Sequence, residues 1–217
     1  MGLVNTVIPR LTSFYLDYLQ EHDVALFVKH ANRYYNQSTI MRLAFSEQVD
    51  TRRATAMALG FLGDYGSNSV LGGLLIDVDR SVRLLAESSI KYVWPRDGSE
   101  QQRHELRIAM RNIAAHNFAE AIRVTNNLLD EKPLYAEARN QRGIALFAVG
   151  DFGDAIEDCK IVLDINPYHF GAAIGMGHAY LQLKNKELAI ICFQQALQIN
   201  PNLESIRRRL AKIVQNF

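Results

Sequence analysis

The chain has 217 residues, 48% of them hydrophobic, and 24 basic against 23 acidic side chains give a formal net charge of +1. That length allows one or two globular domains or one elongated repeat array, and the apolar share is enough for a continuous core. The charge is also balanced locally, with ten basic and ten acidic side chains in residues 1–98, so neither half has the basic excess that nucleic-acid or anionic-membrane binding requires.

The first fourteen residues, MGLVNTVIPRLTSF, lack a basic region followed by an apolar run and a cleavage site, and do not read as a signal peptide. Met1-Gly2 with Thr6 matches the short myristoylation pattern, one that is common by chance. The most apolar stretch, Val70–Val78, is too short to span a membrane. The two cysteines, Cys159 and Cys192, fall at core positions and read as buried thiols in a reducing compartment. A cytoplasmic location is expected.

Residues 9–20 place Leu11, Phe14, Tyr15, Tyr18 and Leu19 on one helical stripe, as in a capping helix with one polar face. Two segments then align at an offset of 31. Ala25, Val28, Ala31, Tyr34, Ile40 and Leu43 match Ala56, Leu59, Leu62, Tyr65, Leu71 and Leu74. A third copy starts at Ser81-Val82-Arg83, carries Ala86 and Ile90 in the apolar columns, and stops at Trp94-Pro95. The second copy, clearest in the ALGFLGD of Ala58–Asp64, resembles the HEAT repeat of the short, bacterial-type class. The resemblance implies a hydrogen bond between Asp77 and Arg83, with the earlier pair, Ser46 and Arg52, having lost its aspartate. Helix-end charges are the alternative reading of that pair.

Pro95-Arg96-Asp97-Gly98 breaks the helix, and Ser99 with Gln102 forms a capping box for the next. From there the chain repeats every 34 residues. Pro133, Pro167 and Pro201 keep that step, as do Ala121, Ala155 and Ala189, Ala109, Gly143 and Gly177, and Asn117, Asp151 and Asn185. The small columns mark where the two helices of a repeat cross, and the prolines mark where a helix must stop. A period of 34 with helix–turn–helix content resembles the tetratricopeptide repeat family, over about 102–203 in three repeats. The family's turn aromatic is present as Phe118 and Phe152 and replaced by Leu188. Its aromatic early in the first helix is missing, at Glu105, Arg139 and Ala173, which implies looser packing between repeats. The tail keeps Leu203, Ile206, Leu210, Ile213 and Val214 on one stripe, as a terminal cap.

Two segments follow, residues 1–94 HEAT-like and 99–217 tetratricopeptide-like. The expected fold is all-α, a right-handed superhelical solenoid of about thirteen helices stacked into one curved body.

Chemistry is sparse. The six histidines show no zinc spacing, and the glycine-rich spots at 60–66 and 171–177 lack the lysine of a phosphate loop. The carboxylates mostly spread over solvent faces. No enzyme and no cofactor are expected. Arg207, Arg208, Arg209 and Lys212 form the single basic cluster, either the solvated face of the cap or a contact for phosphate or an acidic partner.

In tetratricopeptide proteins the first helices line a concave groove. The resemblance therefore implies a partner-binding face carrying Arg103, Arg107 and Met110 in the first repeat, Asn140, Gln141 and Ile144 in the second, and Ile174 and His178 in the third. Packing between repeats is the alternative for neighbours such as Phe147 and Leu181. An apolar floor with amide and arginine edges suits an amphipathic helix or an extended peptide. Where one subfamily clamps acidic chaperone tails, this chain has Leu106, Met110, Gln141, Gly171 and Gly175, so that clamp is missing. The expected function is a non-catalytic interaction scaffold for a protein or peptide. An assembly factor shielding an apolar client segment, an accessory subunit of an enzyme complex, and a homodimer filling its own groove stand as alternatives.

Overall fold

The computed structural model of the chain describes residues 8–215, so the Met1-Gly2-Thr6 pattern lies outside the described residues. Among them are thirteen α-helices and no strand, and none of the helices is long and apolar enough to cross a membrane. Contacts divide the chain into two compact units, Met1–Val93 and Trp94–Phe217.

The first unit holds α1 (Arg10–Glu21), α2 (Val24–Tyr34), α3 (Gln37–Leu43), α4 (Val49–Leu62), α5 (Asn68–Leu74) and α6 (Arg80–Val93). Leu11 and Tyr15 of α1 are buried as the stripe predicts, whereas Leu19 is exposed. The 31-residue step is visible in hydrogen bonds. Arg52 donates from Nη1 to the carbonyls of Ser46 and Glu47 at 2.9 and 3.1 Å. Arg83, 31 positions on, does the same to Asp77 and Val78 at 2.8 and 3.1 Å. The bond implied between positions 77 and 83 thus runs through the backbone carbonyl of Asp77. Its carboxylate is gripped by Arg52, Nε at 2.7 Å and Nη2 at 3.0 Å. A two-pronged guanidinium matches a carboxylate in geometry, and this pair is mostly buried. Arg53 holds Asp79 in the same two-pronged way, and its hydrogen bonding brings the Asp79 carboxyl down to about 2.

The second unit holds α7 (Glu100–Ala114), α8 (Phe118–Glu131), α9 (Ala136–Val149), α10 (Phe152–Ile165), α11 (Phe170–Gln182), α12 (Lys186–Ile199) and α13 (Glu204–Gln215). They form three helical hairpins, each packed on the next, with α13 against α12. The predicted capping box is present, with Ser99 Oγ accepting from Gln102 N at 3.2 Å and Gln102 Oε1 accepting from Ser99 N at 3.0 Å. The residues before the three prolines, Lys132, Asn166 and Asn200, all end their helices in extended backbone with φ of −135°, −133° and −134°, as proline requires of its predecessor.

Each hairpin turns through a left-handed residue at the same repeat position: His116 (φ 60°), Gly150 (φ 89°) and Lys184 (φ 60°). The backbone N–H that follows each one returns to the first helix, from Asn117 to Asn112 O, Asp151 to Leu146 O and Asn185 to Tyr180 O. This is the closure by which helices commonly end. Glycine suits that conformation best, and only the middle repeat uses it.

The small columns are buried where hairpins close: Ala109, Ala121 and Ala189 are fully inaccessible. The two glycines of the column differ. A Cβ on Gly177 would stand 2.6 Å from Cε1 of the fully buried Phe193. One on Gly143 would meet nothing closer than 3.5 Å. Gly177→Ala is therefore expected to destabilise by about 1–3 kcal/mol through overpacking. Gly143→Ala should gain up to about 1 kcal/mol from helix propensity. Urea melts of the two variants test the contrast, and equal effects of like sign would show that Phe193 moves freely.

Among the described residues, core clusters join neighbouring helices of this unit. In one of them, Ala189, Phe193 and Ile206 are buried, with Leu203, Leu210 and Ile213 packed beside them. Val214, placed on the same stripe by its spacing, is instead 54% exposed, because the stripe is narrower than the helix face. Cys159 and Cys192 are buried free thiols. Burial pushes Cys159 up to about 12 and Cys192 up to about 11, so neither supplies a reactive thiolate at neutral pH.

Candidate functional site

The first helices α7, α9 and α11 carry the predicted partner-binding residues. Their helix starts are joined by a structure that sequence reasoning missed. Glu137, in the first turn of α9, is 5% exposed. A buried carboxylate costs free energy unless donors surround it, and three do so here. Gln141 Nε2 lies 2.6 Å and Asn140 Nδ2 3.2 Å from Oε1, while His169 Nε2 lies 3.0 Å from Oε2. The other nitrogen of His169, Nδ1, accepts from the backbone N–H of Ala172 at 3.0 Å and caps α11. That bond leaves the ring proton on Nε2, facing the carboxylate.

Trp94 closes this pair from above. Its ring stacks on His169 with centroids 3.9 Å apart and planes 19° from parallel, and Phe170 stands 5.1 Å away. Trp94 is 6% and His169 1% exposed. The residues after Trp94 are tied down one by one. Pro95 O accepts from Tyr135 Oη at 3.0 Å. Asp97 pairs with Lys132 at 2.5 Å. The carbonyls of Arg96 and Gly98 face Arg103 Nη1 at 3.5 and 3.1 Å. Gly98 has φ 108°, and a Cβ there would lie 3.3 Å from the Tyr135 ring, so both conformation and space call for glycine. The segment read from sequence as a helix break is a strap fastened across the second unit.

Several of the predicted residues also make contacts within the unit. Arg103 is engaged by the strap carbonyls. Gln141 is buried and, with Asn140, spends its amide on Glu137. Met110 packs on the cluster of Leu106, Leu128 and Tyr135. Ile174 packs on the cluster of Ala189, Phe193 and Ile206. His178 is half-buried, its ring 5.2 Å from Phe193 and edge-on. Burial, and secondarily the charge of Arg209, holds its imidazole below the usual range. Arg107 is exposed, and Ile144 is 43% exposed in the middle of α9.

A second buried carboxylate also departs from the expected solvent faces. Asp158 of α10 is 2% exposed and accepts from Arg142 Nε and Nη2, both at 2.7 Å, and from Arg139 Nη1 at 3.3 Å. Arg139 stands where an aromatic was missed from the repeat pattern, and this ion cluster fills that place. Its position between α9 and α10 makes it a structural tie.

The tetratricopeptide repeat model matches residues 172–203. A TPR repeat-containing protein of Rhizobium etli is 35% identical over 79 residues, which cover 35% of this chain and 39% of that relative; the chain thus matches well under half the length of its curated relative. Among solved structures, the first TPR of Spaghetti (RPAP3) bound to the HSP90 peptide SRMEEVD aligns with TM-score 0.52 and 23% identity, covering 55% of this chain and 94% of that one. The first TPR domain of human RPAP3 gives the same score and identity over 54% and 93%. With the 34-residue hairpins and their shared turn geometry, these likenesses give the second unit a tetratricopeptide-like fold, with a tetratricopeptide repeat matched at residues 172–203.

Proposed function

We propose that the second unit is a non-catalytic protein-interaction module holding a peptide or helix of another protein across α9 and α11, with Ile144 as the principal apolar anchor. The observation that carries this is the exposure of Ile144, 43% accessible on a helix face whose neighbouring aliphatics are mostly packed. An exposed aliphatic next to half-buried polar groups is the usual make-up of an anchor site. Arg107 and His178 lie on the flanking first helices α7 and α11 and would supply polar contacts. Support of a general kind comes from the fold, since a neighbour with the same repeats holds a peptide. That peptide is acidic, whereas Leu106, Met110, Gln141, Gly171 and Gly175 stand here at the positions of the acidic-tail clamp. A similar tail is therefore not the expected ligand of this face.

Ile144→Asp is expected to weaken capture of protein partners by at least about 2 kcal/mol, because a few central anchors carry most interface energy. The readout is pull-down from the native cell with quantitative mass spectrometry, wild type against variant, with the fold checked by circular dichroism. Unchanged capture by a folded variant would remove α9 from the interface. Light scattering over a range of concentrations identifies a second copy of the chain as the occupant.

A further inference from the structure

Beside the last repeat lies a cavity of about 600 Å³, bounded by Leu181 of α11, Lys186 at the start of α12, and Arg208, Arg209, Lys212 and Ile213 of α13. Among the described residues its charged side chains are all cationic, in a chain whose formal net charge is only +1. The first residue of α12 lies in the wall, at the end where a helix carries partial positive charge. The triple-arginine run is divided by the structure. Arg207 turns away, its Nη1 2.5 Å from Glu204 and its Nη2 2.5 Å from the carbonyl of Pro201. Arg208 and Arg209 face the cavity and are exposed.

The cavity is also continuous with the stripe of α11 that the proposed partner would cross. Ile174, His178 and Leu181 follow one another at helical spacing, Leu181 forms part of the cavity wall, and the charge of Arg209 reaches His178.

We propose that this cavity is an electrostatic subsite for an acidic peptide segment, one with several Asp or Glu side chains around one aliphatic residue. The inference rests on the reading of the second unit as a peptide-binding module and names the chemistry of one end of that peptide. The two exposed guanidinium groups, Arg208 and Arg209, set the charge of the ligand. The aliphatic walls, Leu181 and Ile213, call for an apolar side chain among the carboxylates. A space of this size is far larger than a lone phosphate needs, and takes several side chains. The site is separate from the first-helix positions that clamp acidic tails elsewhere in the family, which are uncharged in this chain.

The test uses the full chain and a fluorescein-labelled peptide of alternating Glu and Leu, followed by anisotropy. The peptide should bind at about 50 mM salt and lose at least about tenfold in affinity by about 500 mM, where exposed charges are strongly screened. R208Q/R209Q should cost at least about tenfold with an unchanged melting curve, and R208E/R209E more. The counterpart peptide with Gln for Glu should not bind. Equal binding by the Gln peptide, or undiminished binding by folded R208Q/R209Q, overturns the subsite. So does arginine-dependent retention on phosphatidylserine vesicles, or tight binding of inorganic phosphate, in the absence of peptide binding. Ile144→Asp should leave the probe within about twofold of wild type. If it instead abolishes probe binding while R208Q/R209Q does not, the acidic segment sits on α9 and the subsite fails. Failure of the α9 reading alone would show as unchanged capture of cellular partners by Ile144→Asp, with the probe results intact.

Discussion

Trp94→Ala is expected to cost the second unit about 3–5 kcal/mol, the range for deleting a buried large aromatic. The loss has two sources. The indole leaves a void over His169, 3.9 Å from where its ring was stacked. The Glu137–His169 pair beneath it then meets water, so a bond formed in a dry setting must compete with solvent. Trp94→Phe keeps part of the packing and should lose less than half as much. Because the chain has two units, a single transition cannot be assumed. The measurement is urea unfolding followed through hydrogen exchange at α9 and α11, where both helix starts depend on the cover. An alanine variant whose α11 amides exchange as slowly as in wild type would show that the strap adds nothing.

Removing residues 204–217 should have an effect of similar size, on the order of 5 kcal/mol. Ile206 is buried and Leu210 and Ile213 are partly buried on Phe193 and Ala189, and each well-buried aliphatic contributes about 1.5–3 kcal/mol. The truncated chain bares the α12 face that α13 covers, and an uncapped repeat end is an aggregation site. Lower melting temperature and association in light scattering are the expected results. A truncated chain that stays monomeric with an unchanged melting curve would show that α12 needs no cover.

The repeat architecture of the second unit was legible because its physical requirements recur at fixed positions. Small residues at the crossings, prolines after extended residues and polar turn residues all kept the 34-residue step, and the structure places each in the predicted role. The turn conformation was less legible. His116 and Lys184 adopt it without being glycine, so composition gave no sign, though Gly150 in the same column did. The strap was hidden for a different reason. Its contacts join Trp94 to His169 and Pro95 to Tyr135, and no periodic pattern encodes a contact made once. A partial signal existed in Tyr135, His169 and Leu203, each two residues after a proline. That column precedes α9, α11 and α13 and is buried or half-buried throughout. The buried Glu137 and Asp158 were missed because charge alone argues for solvent; their burial depends on donors that the fold gathers, His169 for Glu137 and Arg139 with Arg142 for Asp158, all distant in sequence. Gln141, chosen as a partner contact from its helix position, is one of the donors to Glu137, and Arg103 donates to the strap carbonyls.

In the first unit the arginine bonds make a chain of custody along the fold. Arg52 secures the turn behind it at Ser46 and Glu47 and reaches forward to the carboxylate of Asp77, whose own carbonyl is held by Arg83. Arg52 therefore serves its own turn and couples it to the next. Such a unit gains cooperativity from links between adjacent repeats, not from one shared centre. Cutting a link leaves both repeats their internal contacts but lets them open separately, so fraying would begin at the cut and not at the ends. A repeat of this kind can also be added or lost without redesigning its neighbours, since the coupling groups travel with it.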